Sequence, residues 1–186
     1  MREQPCRGAE PADERAEADR FLELMSRFPT GVSVVTAVDG EGRPWGATCS
    51  SLTSVTLTPP TLLCCLRADG RTLEAVRSTG RFAVNLLRAE ARHAATVFAT
   101  RCGDRFTQVP WRPRPPSGLP HLHRDAFAFA ECRVGSRFVV GDHVVVVGAV
   151  DGVELVGGLP LVYGMREFLS WGPPGGASRP PGGRQA

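Results

Sequence analysis

The segment GATCSSLTSVTLTPPTLLCCL, residues 46–66, holds two β-strands and the break between them. Its second half, Thr61 to Arg67, is apolar enough to be buried on both faces of a sheet. Pro59-Pro60 cannot sit inside a ladder and separates the halves. The first strand, about Trp45–Leu52, breaks the alternation that a pleat imposes, because Thr48, Cys49, Ser50 and Ser51 are small polar residues in a row. In an extended chain Thr48 and Ser50 point to one face, and Cys49 and Ser51 to the other. Short side chains let a flat ring approach the main chain and its N–H and C=O groups. They suit equally a strand under a helix, or hydroxyls bonded to their own backbone. Residue types alone leave both readings open.

Outward from this segment the chain reads mostly as strands. Upstream, GVSVVTAV sets Val32, Val34, Thr36 and Val38 on one side of a strand, and DGEGRP turns back through Asp39-Gly40, a favoured hairpin pair. An amphipathic helix precedes it, about Asp13 to Phe28, with Phe21, Leu24, Met25 and Phe28 on one face and Pro29 ending it. Downstream, TLEAVRST is a short helix with Asp69 or Thr72 as N-cap and Gly80 past its end. RFAVNLL is a strand and EARHAATVFAT a helix. QVPWRPRPPSGLPHLHR is too rich in proline for a central strand. It is a long loop, either a cover over bound nucleotide or an exposed connector. Phe106 and Trp111 beside it are candidates for stacking or for plain packing. Three β segments follow: AFAFAECRVGSRFVV, DHVVVVGAVDGVEL and PLVYGMREFLSW. Many strands and few short helices predict an antiparallel barrel with helical decoration.

The totals fit one domain, residues 13–171 of 186, flanked by polar, Pro/Gly-rich segments 1–12 and 172–186 expected to be disordered. All 22 basic residues are arginine, and a formal charge of +3 gives no reason to expect nucleic acid. No signal-peptide pattern and no apolar run of membrane length are visible, so a cytoplasmic protein is expected. Its six cysteines are then reduced, and without a CxxC spacing they do not suggest structural zinc.

No G-x-S-x-G elbow, Walker loop, HExxH or Rossmann fingerprint occurs. His121-x-His123 places two imidazoles on one side of an extended chain but lacks further ligands. RADGRT, residues 67–72, offers helix N–H groups, a hydroxyl and two arginines that suit a phosphate, or an ordinary capped turn. GDH, residues 141–143, puts a lone histidine between two strands.

Four segments in register carry a resemblance: the run from Phe28 through Leu66, RTLEAVRSTGRFAVNLL, GDHVVVVGAV and PLVYGMREFLSW. Together they closely resemble the flavin reductase-like, FMN-binding split-barrel family over about Phe21 to Trp171. The resemblance implies a mainly β, antiparallel Greek-key split barrel with peripheral helices, forming a homodimer. It implies FMN or FAD, reduced by NADH or NADPH and passed to a separate monooxygenase component. Carried onto this chain, it assigns Thr48, Cys49, Ser50 and Ser51 to the isoalloxazine edge and ribityl chain. Leu66, Arg67, Gly70, Arg71 and Thr72 fall along the phosphate. His143 is the catalytic candidate on the nicotinamide side, with Tyr163 and Arg166 shaping that pocket. The family commonly has serine at Gly70 and phenylalanine at Leu52. A non-catalytic flavin carrier, a flavoprotein oxidase on the same barrel and a ligand-free scaffold are the competing readings.

Overall fold

The computed structural model describes residues 12–100 and 104–171. The expectations for segments 1–11 and 172–186, and the thiols Cys6 and Cys102, lie outside these residues. The chain begins with α1 (Ala12–Ser26), β1 (Thr30–Gly31), β2 (Ser33–Val38) and β3 (Pro44–Cys49). Next come β4 (Thr53–Leu57), β5 (Pro60–Arg67), α2 (Arg71–Thr79), β6 (Arg81–Leu87) and α3 (Arg92–Ala99). A 3-10 turn at Arg105–Thr107 leads to β7 (Arg112–Arg114) and β8 (Leu119–His121). The chain closes with β9 (Ala126–Val140), β10 (His143–Leu155), β11 (Leu161–Gly164) and β12 (Glu167–Ser170).

Seven antiparallel strands form one sheet in the order β3-β2-β6-β9-β10-β5-β4. It curls until β3 approaches β5, and there no ladder forms. Instead the Ser51 hydroxyl accepts the Cys65 N–H at 3.0 Å, closing the barrel with a side chain. Inside lie Val35, Phe82, Val84, Val144 and Val146, and α2 seals one end by burying Leu73, Ala75 and Val76 among them. Gly148 makes room for this interior, since a Cβ there would stand 2.6 Å from the Phe82 ring. A second core lies outside the sheet, where Val32, Val34 and Leu87 meet Ala94, Ala95 and Phe98 of α3. Strand β2 therefore has apolar neighbours on both faces, which explains its unbroken run of buried residues from Ser33 to Ala37. The barrel expected from the sequence is thus present, mainly β with three helices.

Local details depart from the sequence reading. Strand β3 ends at Cys49, not Leu52, and the residues after it form β4, an edge strand paired with β5. The β2–β3 hairpin places its left-handed residue at Gly42, φ +77°, rather than in Asp39-Gly40. The Asp39 carboxylate accepts the N–H groups of Glu41 and Arg43, and this favours a longer turn closing on Gly42. The proline-rich loop contains the short hairpin β7–β8, separate from the main sheet. Helix α1 ends at Ser26 rather than Phe28, and Phe21, Leu24 and Met25 on it and Phe28 just past it are exposed on this chain. Among the described residues no helix is long and apolar enough to cross a membrane.

Candidate active site

The barrel's seam opens into a cleft. Strand β4 pairs β5 only from Pro60 to Leu63, so Cys64–Arg67 has a strand, β10, on one edge alone. Strand β3 has only β2 beside it. The two open edges face each other. Cys65 turns its N–H and C=O toward the end of β3, where Ser51, two residues past the strand, bonds both. Antiparallel alternation turns the Arg67 amide to the same open side. On β3 the Gly46 carbonyl accepts from Arg105, so Gly46 and, two residues on, Thr48 present their main chain outward. The resulting cleft of about 960 Å³ is at the upper end of small-molecule sites.

Helix α2 points its N-terminus into the cleft. Gly70 is its N-cap and provides no side-chain bond, which leaves the first N–H groups, at Arg71, Thr72 and Leu73, uncapped by a side chain. A Cβ at Gly70 would stand 3.1 Å from the Arg67 carbonyl, a tight approach that glycine avoids. Arg67 is held by the Asp69 carboxylate at 2.9 and 3.2 Å and by Asp142 at 3.4 Å. Asp142 also meets His143 Nδ1 at 2.7 Å. That hydrogen bond to His143 holds the Asp142 carboxyl below its ordinary pKa. With Nδ1 engaged, Nε2 is the histidine nitrogen left for the cleft, which His143 lines.

An aromatic wall stands opposite. Phe98, Phe106 and Trp111 meet edge to face, with centroids 5.0 and 5.2 Å apart. Gly46 lets Phe98 lie against β3, because a Cβ there would come within 2.7 Å of the ring. The proline-rich connector thus contributes Trp111 to the wall of the cleft.

The row of small polar residues divides at the seam. Thr48 lines the cleft, but its hydroxyl donates to the Ala95 carbonyl of α3 at 2.7 Å, so it offers main chain rather than a free hydroxyl. Cys49, 4% exposed, turns into the barrel core. Its neighbour Cys64 is pushed well above the usual thiol range by the hydrogen bond to Cys49 and by burial. Ser50 is exposed, and Ser51 spends its hydroxyl on Cys65; neither lines the cleft. Leu66, Arg67, Gly70, Arg71, Thr72 and His143 all do. Tyr163 and Arg166 lie elsewhere, on the β11–β12 hairpin against α1, where Arg166 reaches Glu23 at 3.6 Å. Phe98 and Arg105 went unmarked in the sequence. Phe98 is one more apolar residue on a buried helix face, and only its contact with Gly46, far away in the chain, sets it apart. No group of three or more metal-ligating side chains occurs among the described residues.

The profile of the flavin reductase-like domain family matches residues 25–172. A flavin reductase (NADPH) of Lentzea aerocolonigenes is 57% identical over 152 residues, covering 82% of this chain and 89% of its own. Component B of a nitrilotriacetate monooxygenase from Mycobacterium thermoresistibile superposes with a TM-score of 0.80 at 31% identity, covering 89% of this chain and 93% of its own. The NADH:FAD oxidoreductase of Streptomyces globisporus, solved with NAD and FAD fragments, gives 0.79 at 30% identity, over 90% of this chain and 100% of its own.

Proposed function

Because the chain belongs to the flavin reductase-like domain family, we propose that its seam holds a flavin between the open edges of β3 and β5, with NAD(P)H approaching on the His143 side. The chain is an NAD(P)H:flavin oxidoreductase. One observation carries the placement: two unpaired strand edges converge on the uncapped N-terminus of α2. Flat rings need the first, and a phosphate needs the second.

The residues present fit such a ligand. Outward main-chain groups at Gly46, Thr48 and Arg67 suit the polar edge of a heterocycle and can stabilise negative charge there. The α2 N–H groups suit the phosphate. Arg71 is the guanidinium best placed to join them, since Arg67 already answers to Asp69 and Asp142. The phenylalanine commonly found at position 52 in the family is here Leu52, packed against the barrel core. Flavin and nicotinamide supply the hydride chemistry when bound. The chain's part is to bind, orient and exclude water. Asp142 fixes the His143 ring through Nδ1, and Nε2 is then oriented to hold the nicotinamide amide or a proton at the ring edge.

Reduced flavin leaves for a separate monooxygenase component, and the open seam suits such release. Among the described residues the thiols Cys49, Cys64, Cys65 and Cys132 are free, which fits a reducing compartment, the cytoplasm. We place the homodimer contact on α1 and the β11–β12 hairpin. Phe21, Leu24, Phe28, Met165 and Trp171 make that face apolar, and Tyr163 and Arg166 lie within it.

The test is steady-state oxidation of NADH and NADPH with FMN, FAD or riboflavin as sole acceptor. Rapid turnover is expected. Flavin retained through purification without turnover indicates a carrier, and turnover only with a different acceptor indicates an oxidase.

A further inference from the structure

Two thiols lie where the barrel has no ladder. Cys49 ends β3 and Cys64 stands in β5, the two strands whose edges meet at the seam. Both side chains turn into the barrel core, where Cys49 is 4% exposed and Cys64 fully buried. The Cys64 thiol hydrogen-bonds the Cys49 sulfur, so the pair spans the seam from within. The Cys49 sulfur also reaches the Cys65 carbonyl at 3.8 Å. We propose that Cys49 and Cys64 are a redox-sensitive pair, oxidised by hydrogen peroxide to a disulfide that staples the seam and slows flavin turnover. The bond follows from the thiol pair itself, and its effect on turnover rests on the reading of the seam as the flavin site.

The two sulfurs have different protonation. The hydrogen bond from Cys64, with help from the Ser51 hydroxyl at 3.3 Å, holds the Cys49 thiol below the usual range. Cys64 stays protonated, pushed up by that same bond and by burial. A thiolate beside a thiol is the arrangement that peroxide oxidises. Peroxide reaches Cys49 past Ser51, which is exposed. The Cys49 thiolate attacks one peroxide oxygen, the O–O bond breaks, and the departing hydroxide is protonated to water. The Cys64 sulfur then attacks the sulfenic sulfur, and its proton leaves with the hydroxyl as a second water. The two sulfurs lose two electrons and peroxide gains them.

The oxidant comes from the enzyme's own product. Reduced flavin that meets dioxygen instead of a monooxygenase component is reoxidised, and hydrogen peroxide forms. Peroxide therefore reports that reduced flavin has outrun its consumer. The disulfide fixes β3 to β5 beneath the groove and restrains the opening through which flavin exchanges. A reversible bond of this kind is the usual use of a disulfide in a reducing compartment. The other described thiols are placed differently. Cys65 faces the opposite side of β5, along the cleft. Cys132 lies on β9, away from the seam, and burial pushes it up to about 12.

In the experiment the reduced full chain is treated with hydrogen peroxide without flavin, quenched with catalase, alkylated, digested and mapped by mass spectrometry. A Cys49–Cys64 cross-link is expected, with two of the six thiols lost to alkylation. Flavin turnover is expected to fall about tenfold and to return with dithiothreitol. Cys64→Ala, a change in the core away from the cleft, is expected to keep its activity through the same treatment. Cross-links only among other cysteines, or oxidation of Cys49 without a cross-link, overturn the proposal. So does a cross-linked wild type with undiminished turnover, or a Cys64→Ala protein inactivated as fast as wild type. If Cys64→Ala does not fold, the map and the dithiothreitol recovery of wild type decide. Absence of flavin turnover before any peroxide sinks the reading of the seam, while the map, made without flavin, still judges the bond.

Discussion

At the residue level the site depends on a short chain of charges. Asp69 holds Arg67, Arg67 reaches Asp142, and Asp142 holds His143. His143→Ala should slow flavin reduction about 100-fold in stopped flow with flavin affinity unchanged. Reduction at the wild-type rate would remove His143 from the chemistry. Asp142→Asn keeps the ring but loses the carboxylate that fixes its tautomer, so a smaller fall in kcat without a change in flavin affinity is expected. A separate residue-level prediction concerns His121, 1% exposed, stacked on Phe129 with neither ring nitrogen bonded. Burial pushes its pKa down. The folded state then binds fewer protons than the unfolded one, so stability is full above about pH 6.5 and declines as pH falls toward the depressed value. His121→Phe removes this term. Its melting temperature relative to wild type should therefore rise by about 2–4 °C between pH 7.5 and 5.5, by calorimetry. A constant gap would show that His121 does not titrate differently on folding.

Among the elements, α2 acts as a plug and, in the proposed function, as the anion site. Its apolar face, Leu73, Ala75 and Val76, seals the barrel, and its first turn opens on the cleft. Thr72 is buried at that turn and lines the cleft. Thr72→Val should weaken FMN about 5- to 10-fold and leave riboflavin, which has no phosphate, unchanged. Equal effects on both ligands would move the phosphate elsewhere. The helix and the strand RFAVNLL were legible from the sequence because their periodicities are local. The second strand of the β4–β5 hairpin was legible too. Strand β4 was not, since its five exposed residues give no burial pattern to read. The fate of Thr48 to Ser51 was equally hidden. Whether a hydroxyl meets a ligand, a helix carbonyl or a neighbouring strand is set by how the sheet closes, and no local pattern records that. That Arg67, Gly70, Arg71 and Thr72 sit together at a helix start was easier to read, because they are consecutive in the chain, although residue types alone fitted a phosphate site and a capped turn equally.

For the molecule as a whole, the apolar side of the N-terminal helical segment calls for a cover. Its periodicity predicted an amphipathic helix, and Phe21, Leu24 and Phe28 on that side are 61%, 64% and 61% exposed. A homodimer through this face accounts for both. Phe21→Glu with Leu24→Glu should shift light scattering from dimer to monomer while leaving the barrel's circular dichroism intact. A wild-type monomer at micromolar concentration would place that helix's apolar side against something else.

The Ser51 clasp has a mechanical consequence. Every other seam of the barrel is laced by a strand ladder, whereas β3 and β5 are joined only through side chains, the Ser51 hydroxyl and the Cys49 thiol on Cys65. Opening fluctuations should therefore run along this line first, and deuterium should enter the outward amides of Gly46, Thr48 and Arg67 ahead of those in β9 and β10. A molecule lying in the groove acts as a missing stave, and it should slow that exchange most where the protein has least lacing of its own.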